Sequence, residues 1–374
     1  MKKKIFYIDP QSMRNLSEYD YNLLSEVTDE VHYYCSKYHD YKKNSNLKYR
    51  YIFSYNHLTS KYQKAGSYIM SYIHILLDIL TKNPDIIHIQ WFKLPAFDLM
   101  FYSFVKKVSK AKLVFTAHNV TPHNTGNKYT SKFKKLYHLM DKISVHADRT
   151  KDEIAKDFDV NKEKITVIHH GLLAQKYDKK KYKEDFGNYE EKYQLKGKFV
   201  LISLGEQSKY KGIDQLIKVW TENTDFANDD KCKLLIVGKN VGLDYSKISK
   251  VKNVYIEDKK ISNEEFYYLL RHANVYLFPY RRISVSGALF TALNENVPVL
   301  VTDVGGIPEP LKIAKVGWVI PNLEHLEEGL KYILSHKEES EQIKADKEAW
   351  TKLKEYYSWT AISKQNQELY DSLF

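Results

Sequence analysis

The run Thr116-Ala117-His118-Asn119-Val120-Thr121-Pro122-His123-Asn124 sets two imidazoles and two amides around one proline-stiffened turn. Imidazole is the side chain whose ordinary pKa lies nearest neutral pH, so proton transfer or hydroxyl recognition is easiest here. A turn capped by Asn119 and Asn124 is the competing structural account. A second run, Gly205-Glu206-Gln207-Ser208-Lys209-Tyr210-Lys211-Gly212, brings two ammonium groups beside a helix start, where free N–H groups and the helix dipole also favour an anion such as a diphosphate. A third, from Phe278 to Leu289, supplies the hydroxyls of Ser284 and Ser286, and Gly287 lets a phosphate approach the backbone closely. Gly305-Gly306 followed by Glu309 adds a flexible pair and a carboxylate suited to a ribose or sugar hydroxyl. Asp9 ends the first apolar run with no glycine-rich loop behind it, which leaves a GxGxxG dinucleotide reading unsupported. His88, inside Asp85 to Trp91, reads as a satisfied core imidazole.

These groups need strands and helices to position them. Short β-rich runs recur at Lys4–Ile8, Glu30–Cys35, Tyr49–Phe53, Asp85–Gln90, Lys112–Ala117, Lys142–His146 and Ile165–His169. Helix-length amphipathic stretches lie between many of them, as at Leu16–Val27, Ser60–Thr81, Pro95–Ser109 and Thr150–Phe158. Apolar strands alternating with helices predict α/β architecture, a parallel sheet covered on both faces. A second series starts at Phe199–Leu204 and continues through Cys232–Val237, Asn253–Glu257, Asn274–Phe278 and Val297–Val301. Residues 176–197 are charged with little apolar periodicity and read as the connection, giving a first domain over 1–175 and a second over 198–358. Ligands of such sheets bind at the carboxyl ends of the strands, where all the runs above fall.

The chain has 374 residues, 43% of them apolar and 14% aromatic, enough for two cores and too apolar for wholesale disorder. Two distant cysteines exclude a disulfide framework and a cysteine-based metal cluster, and point to a reduced intracellular setting. The basic start runs into an apolar stretch too short for a signal peptide, and Ser67–Leu80 is too short and polar to span a bilayer. Net charge is +11, and it is uneven: residues 1–180 hold 30 basic and 18 acidic side chains, the remainder 28 and 29. The first half therefore suits an anionic partner: a lipid headgroup layer, a phosphate-bearing acceptor or nucleic acid.

The order GEQSKYKG, LLIVGK, ISNEEFYYLL, NVYLFPYRRISVSGAL, NENVPVLVTDVGGIPE and GWVI over Lys198 to Pro321 resembles the donor-binding half of GT-B glycosyltransferases near family 4. DIIHIQW, TAHNVTPH, KISVH and VIHHG in the first half, and Tyr357-Ser358-Trp359-Thr360 before a last helix, extend the resemblance over nearly the whole chain. It implies two Rossmann-like domains facing a central cleft, the last helix (359–374) packing back on the first. It also implies a sugar moved from a UDP- or GDP-sugar to an acceptor hydroxyl, with no metal or cofactor required. Carried over by position, Gly205 and Lys211 would contact the donor phosphates, the Ile261 region the base, Ser286, Gly287 and Ala288 the diphosphate or sugar, and His118 would face the sugar. Lys209, Tyr280, Ser284 and Glu309 complete the candidate donor set, with Lys209, Ser284 and Glu309 able to stand in for family residues this chain lacks. The glutamate pair common in family 4 falls on Ile283 and Thr291, and the arginine of GxxRxxKG on Ser208, as in a polysaccharide-biosynthesis branch. Stereochemistry stays open: inversion would need a base, with Asp9, His118 and His123 as candidates.

For the acceptor, the Lys- and Tyr-rich segment from Lys37 to Tyr68 suits a membrane interface better than nucleic acid, for which no recognised motif is present. The expectation is a metal-independent hexosyltransferase of cell-surface polysaccharide synthesis. It would act on a saccharide or polyprenyl-diphosphate-linked acceptor, peripherally at the cytoplasmic face of the plasma membrane. Two alternatives are a degenerate GT-B subunit partnering another transferase and, more weakly, a GT-B epimerase.

Overall fold

The computed structural model describes residues 2–13, 15–121, 128–174 and 176–374. The chain divides into two compact units, Met1–Gly171 with Ser358–Phe374, and Leu172–Tyr357. The first alternates β1 (Lys4–Ile8), α1 (Asn15–Leu23), β2 (Glu30–Ser36), β3 (Leu47–Phe53), α2 (Lys61–Lys82), β4 (Ile86–Ile89) and α3 (Pro95–Val108). It continues with β5 (Lys112–Ala117), α4 (Thr130–Leu139), β6 (Lys142–Val145), α5 (Asp148–Phe158) and β7 (Ile165–Val167). Its strands are parallel, in the order β3-β2-β1-β4-β5-β6-β7. The period of two along β1 feeds two cores: Ile5 and Tyr7 join one, Phe6 and Ile8 the other.

In the second unit the order is α6 (Lys179–Tyr193), β8 (Phe199–Leu204), β9 (Gln207–Ser208), α7 (Ile213–Glu222), α8 (Thr224–Asn228), β10 (Cys232–Val237), β11 (Asn240–Val241) and β12 (Val254–Glu257). Then follow α9 (Asn263–His272), β13 (Val275–Phe278), α10 (Gly287–Asn294), β14 (Val299–Thr302), α11 (Glu309–Ile313) and β15 (Gly317–Ile320). Helices α12 (Leu326–Ser335), α13 (Lys337–Ala345) and α14 (Lys347–Tyr356) close this unit, and α15 (Trp359–Asp371) belongs to the first. The larger sheet of this unit is parallel, ordered β12-β10-β8-β13-β14-β15. Helix α15 joins the core beside α1, where the Ser363 hydroxyl donates to the Leu23 carbonyl at 2.7 Å.

The segment read as a connection, 176–197, is instead largely helix α6 of the second unit. Tyr182, Phe186, Tyr189 and Tyr193 recur at helical spacing, and Tyr193 is buried with its hydroxyl on Glu265 at 2.5 Å. Lys192 bridges Glu257 and Glu265 at 2.6 and 2.9 Å, and Arg271 of α9 sits 5.1–5.4 Å from the rings of Tyr177, Tyr182 and Tyr267. An apolar stripe built from tyrosines hides in a stretch otherwise made of lysine and glutamate. The tyrosines between Lys37 and Tyr68 are likewise mainly structural, with Tyr55 and Tyr68 buried and Tyr49 stacked on Tyr51 along β3. Among the described residues no helix is long and apolar enough to cross a membrane.

Candidate active site

In each sheet the strand order reverses once, between β8 and β13 in the second unit and between β1 and β4 in the first. Loops leaving neighbouring strands diverge at such a point and open a crevice at the carboxyl ends.

At the β8/β13 crossover, Gly205 has φ +90 and open space where a side chain would project. A Cβ on Gly212 (φ +72), at the start of α7, would lie 1.7 Å from the Pro279 carbonyl oxygen. Only glycine lets the β8 loop lie on the β13 loop here. The buried Gln207 pins the first loop, its amide donating to the carbonyls of Gly205 and Ser203 at 2.9 and 3.2 Å. Arg281 locks the two loops together: it pairs with Asp214 at 2.5 and 2.9 Å, bonds the Lys209 carbonyl, and its N–H reaches the Tyr210 carbonyl at 2.9 Å. Arg281 is thereby spent on structure. Lys211 stands 5.9 Å from the Tyr280 ring centre, its pKa lowered by desolvation, while Lys209 is exposed. Tyr280 and Ser286 share a hydrogen bond of 3.3 Å, and the Ser286 side chain leaves the first N–H groups of α10 uncapped.

The loop after β14 closes on this group. Gly305 (φ +53) passes so near Ile283 that a Cβ would stand 1.7 Å from its carbonyl oxygen, and the Gly306 N–H donates to the Ser284 carbonyl at 2.7 Å. Glu309, at the first position of α11, is thus carried toward Ser284 and is itself buried. Gly205, Lys209, Lys211, Tyr280, Ser284, Ser286, Gly287, Ala288 and Glu309 therefore sit on three loops drawn together at one crossover. Ile261 lies apart from them, on the loop after the edge strand β12. Thr291, at one expected glutamate position, is buried, with its hydroxyl on the Gly287 carbonyl at 3.0 Å, and offers no donor contact.

The β1/β4 crossover gathers Asp9, Gln90, Trp91 and, from β5, His118. Asp9 is buried and accepts the Gln11 N–H at 2.6 Å; burial and the neighbouring Asp20 raise its pKa well above the carboxylate range. Asp20, held at about 6 by burial, accepts the hydroxyls of Tyr7 and Tyr33 at 2.6 and 2.5 Å. His118 stacks on Trp91 with ring centres 4.2 Å apart. Its Nδ1 lies 3.2 Å from His146 Nε2 and its Nε2 lies 2.9 Å from the Gln90 side chain. Burial and the neighbouring imidazoles hold it neutral, with a pKa well below 6.5.

The tautomers follow from two oxygens, the Ile168 carbonyl and Gln90 Oε1. His146 Nδ1 faces the Ile168 oxygen at 2.9 Å and must donate, which leaves His146 Nε2 a lone pair, 3.2 Å from His118 Nδ1. Gln90 Oε1, 2.9 Å from His118 Nε2, can only accept, so His118 Nε2 carries the ring proton and donates to it. His118 Nδ1 thus holds the lone pair of the neutral ring, turned toward His146 inside the buried cluster. Neither Asp9, whose carboxyl pKa burial raises well above its usual range, nor His118, whose one lone pair faces His146, turns a basic atom outward, and His123 lies outside the described residues. His88 is a satisfied core imidazole, bonded to Tyr370 and Thr116 at 2.6 and 2.7 Å. Sequence reasoning missed the role of Gln207, the Arg281–Asp214 clamp and the placement of Gln90 and His146 on either side of His118, since each depends on residues that only the fold brings together.

Residues 22–174 match the family described as Glycosyltransferase Family 4, and residues 185–350 match Glycosyl transferases group 1. Among curated proteins, the chain is 22% identical over 224 residues to the phosphatidylinositol N-acetylglucosaminyltransferase gpi3 subunit of Schizosaccharomyces pombe, covering 57% of this chain and 45% of that one. It is also 22% identical over 231 residues to an uncharacterized glycosyltransferase of Methanocaldococcus jannaschii, covering 56% of each. The matches thus span about half the length of these relatives. Among solved structures, sucrose-phosphate synthase from Thermosynechococcus elongatus aligns with a TM-score of 0.72 at 14% identity, over 100% of this chain and 99% of that one. Anabaena HepE in complex with UDP and glucose aligns at 0.67 and 11% identity, over 99% and 100%.

Two Rossmann-like parallel-sheet domains, each with its strand-end crevice, define a protein of the GT-B class. With both family matches, which together reach most of its length, the chain belongs to the family-4-like GT-B glycosyltransferases.

Proposed function

We propose that this protein transfers a hexose from a nucleotide-sugar to a lipid-linked saccharide in bacterial cell-surface polysaccharide synthesis, working at the cytoplasmic face of the membrane. The observation that carries this is the convergence of Gly205, Lys211 and Gly287 at the β8/β13 crossover, with unobstructed backbone at Gly205 and uncapped N–H groups on α10. Breaking the anomeric bond leaves charge on the departing nucleotide diphosphate. Lys209, Lys211 and the α10 N–H groups neutralise it without reorganising at the moment of reaction. The structures of Anabaena HepE, which hold UDP or UDP-glucose, support UDP as the nucleotide. The raised carboxyl pKa of Asp9 and the His118 lone pair turned toward His146 favour retention, which calls for no strong base on the acceptor.

The test is a thermal-shift panel of UDP-, GDP- and dTDP-sugars, followed by nucleotide release from each that stabilises the protein. One donor is expected to stabilise it and to release nucleotide slowly. Lys211→Ala should weaken that donor at least tenfold, about 1.4 kcal/mol. A well-folded sample stabilised by no donor overturns the reading and favours the degenerate subunit, to which the buried, self-satisfied Thr291 at a glutamate position also points.

A further inference from the structure

Nine of the sixteen exposed large hydrophobic side chains among the described residues sit on α2 and α3. On α2 they are Tyr62, Ile69, Met70, Ile73, Leu77 and Leu80, and on α3 Met100, Phe104 and Val108, with Leu77 57% and Met100 63% exposed. The spacing is helical in both, so each helix shows an outward apolar stripe besides the inward one that the core uses: Tyr68, Tyr72, Ile75 and Ile79 on α2, Phe101, Tyr102 and Val105 on α3. Folding does not require the outward stripes.

The two stripes adjoin. Tyr72 packs edge-on against Phe97 and Phe101, with ring centres 5.6 and 4.8 Å apart, which marks the seam between the helices. At 100° per residue, Ile69, Ile73 and Leu80 lie on the seam side of α2 and Phe104 and Val108 on the seam side of α3. The opposite flank of α2 is polar, with Ser67, Ser71, His74 and Asp78. On the far side of α3, an open groove toward α4 is lined by Leu99, Ser103 and Leu139, with Lys134 and Lys135 beside them.

Charge selects the occupant. Lys61 and Lys64 stand at the start of α2, Lys106 and Lys107 at the end of α3, and Lys132, Lys134 and Lys135 on α4. The carboxylates of these helices are Asp98, which is buried, and Asp78, which is bound to Lys82 and Tyr34. Asp141 answers Lys106 and Asp159 answers Lys134, while Lys61, Lys64, Lys107, Lys132 and Lys135 leave the rim of the apolar strip with a net positive charge. Such a rim complements a layer of anionic headgroups over acyl chains. A second copy fits poorly, because a two-fold contact would set the same lysines against each other.

We infer that the outward face of α2 and α3 docks on anionic lipid bilayers, inserting Ile73, Leu77, Met100 and Phe104 to the headgroup–acyl boundary while the flanking lysines hold the headgroups. This rests on the reading of a lipid-linked acceptor, and it shifts the contact from the Lys37–Tyr68 segment as a whole to its α2 end and on along α2 and α3.

The test uses the full chain with vesicles of phosphatidylcholine alone or with 30% phosphatidylglycerol. Wild type should float with the anionic vesicles and, more weakly, with the neutral ones. Leu77→Asp/Phe104→Asp should lower partitioning at least tenfold on both compositions, while Lys107→Glu/Lys135→Glu should lower it on the anionic vesicles alone. Both substituted pairs are exposed, so melting temperature and donor-induced thermal shift should stay as in wild type. Equal flotation of wild type and Leu77→Asp/Phe104→Asp overturns the proposal, as does a wild type that ignores both vesicles. Light scattering that shows a wild-type dimer, split by the same substitutions without any lipid binding, overturns it in favour of a second copy. Donor binding is read separately: flotation without a donor response leaves this surface standing and removes the transferase reading instead.

Discussion

At the scale of single residues, His118 illustrates how a side chain can look catalytic and yet be committed elsewhere. Its position at the end of β5 is where a base would be useful, but Gln90 Oε1 holds the ring proton on Nε2 and the lone pair on Nδ1 faces His146. With its pKa held well below 6.5 by burial and neighbouring imidazoles, the ring stays neutral through physiological pH. What it offers substrate is a flat surface continuous with Trp91. A pH profile of kcat/KM between 6 and 8 should therefore carry no limb assignable to His118, and His118→Gln should lower kcat by less than about tenfold with the profile unchanged in shape. General-base removal typically costs on the order of 10²–10⁴. A loss of that size, with a limb disappearing, would restore His118 as the base.

At the scale of elements, the crevice at the β8/β13 crossover depends on glycines that let three loops touch. Gly212→Ala places a Cβ 1.7 Å from the Pro279 carbonyl oxygen at φ +72, which no side-chain rotation relieves. The strained backbone alone costs about 1–3 kcal/mol. Moving the Pro279 loop away would also separate Arg281 from Asp214 and Tyr210. The expected outcome is a lower melting temperature of the second unit together with loss of any nucleotide-induced shift. Gly205→Ala, whose added methyl meets no protein atom within 4 Å, should lose the nucleotide shift with a smaller change in melting. If both variants bind nucleotide as wild type does, the crevice is not the donor site.

The strands were legible because buried parallel strands are short apolar runs between polar breaks; β1, β5, β8 and β10 begin and end where the apolar pattern does. Helix α6 was not, because its buried stripe is tyrosine, a residue the hydrophobic pattern undercounts. The three loops of the crevice were legible from their glycines, hydroxyls and lysines, which follow strand ends in sequence. The Gln90–His118–His146 chain was not, since its members come from three strands and nothing local in sequence marks their pairing.

At the scale of the whole molecule, the first unit buries titratable groups of opposite sign, and their sum sets its pH dependence. Burial holds His88 and His146 at about 3 and His170 at about 4, against about 6.5 when unfolded. These depressed groups contribute stability that is complete above pH 6.5 and lost as pH falls through 4 to 3. Burial raises Asp20 to about 6 and Asp98 to about 8, with Asp9 also raised. Their contribution is complete below about pH 4 and lost as pH rises through 6 to 8. Between 4 and 6.5 the unfolded chain holds extra protons on histidine and the folded one on aspartate, and the two effects offset. Above 6.5 the histidines no longer differ, and the aspartates alone make stability fall with pH. Asp98 accepts the Tyr68 hydroxyl and the Leu94 N–H, both at 2.9 Å, at the start of α3. The amide that Asp98→Asn introduces cannot ionise but keeps an acceptor oxygen. Urea unfolding of the full chain at pH 6.5, 7.25 and 8 should therefore show Asp98→Asn with the shallower loss, the difference approaching about 1.4 kcal/mol per pH unit, one proton's worth. Parallel slopes for the two proteins would mean that Asp98 is already ionised at neutral pH, and the source of the alkaline loss would pass to Asp9 and Asp20.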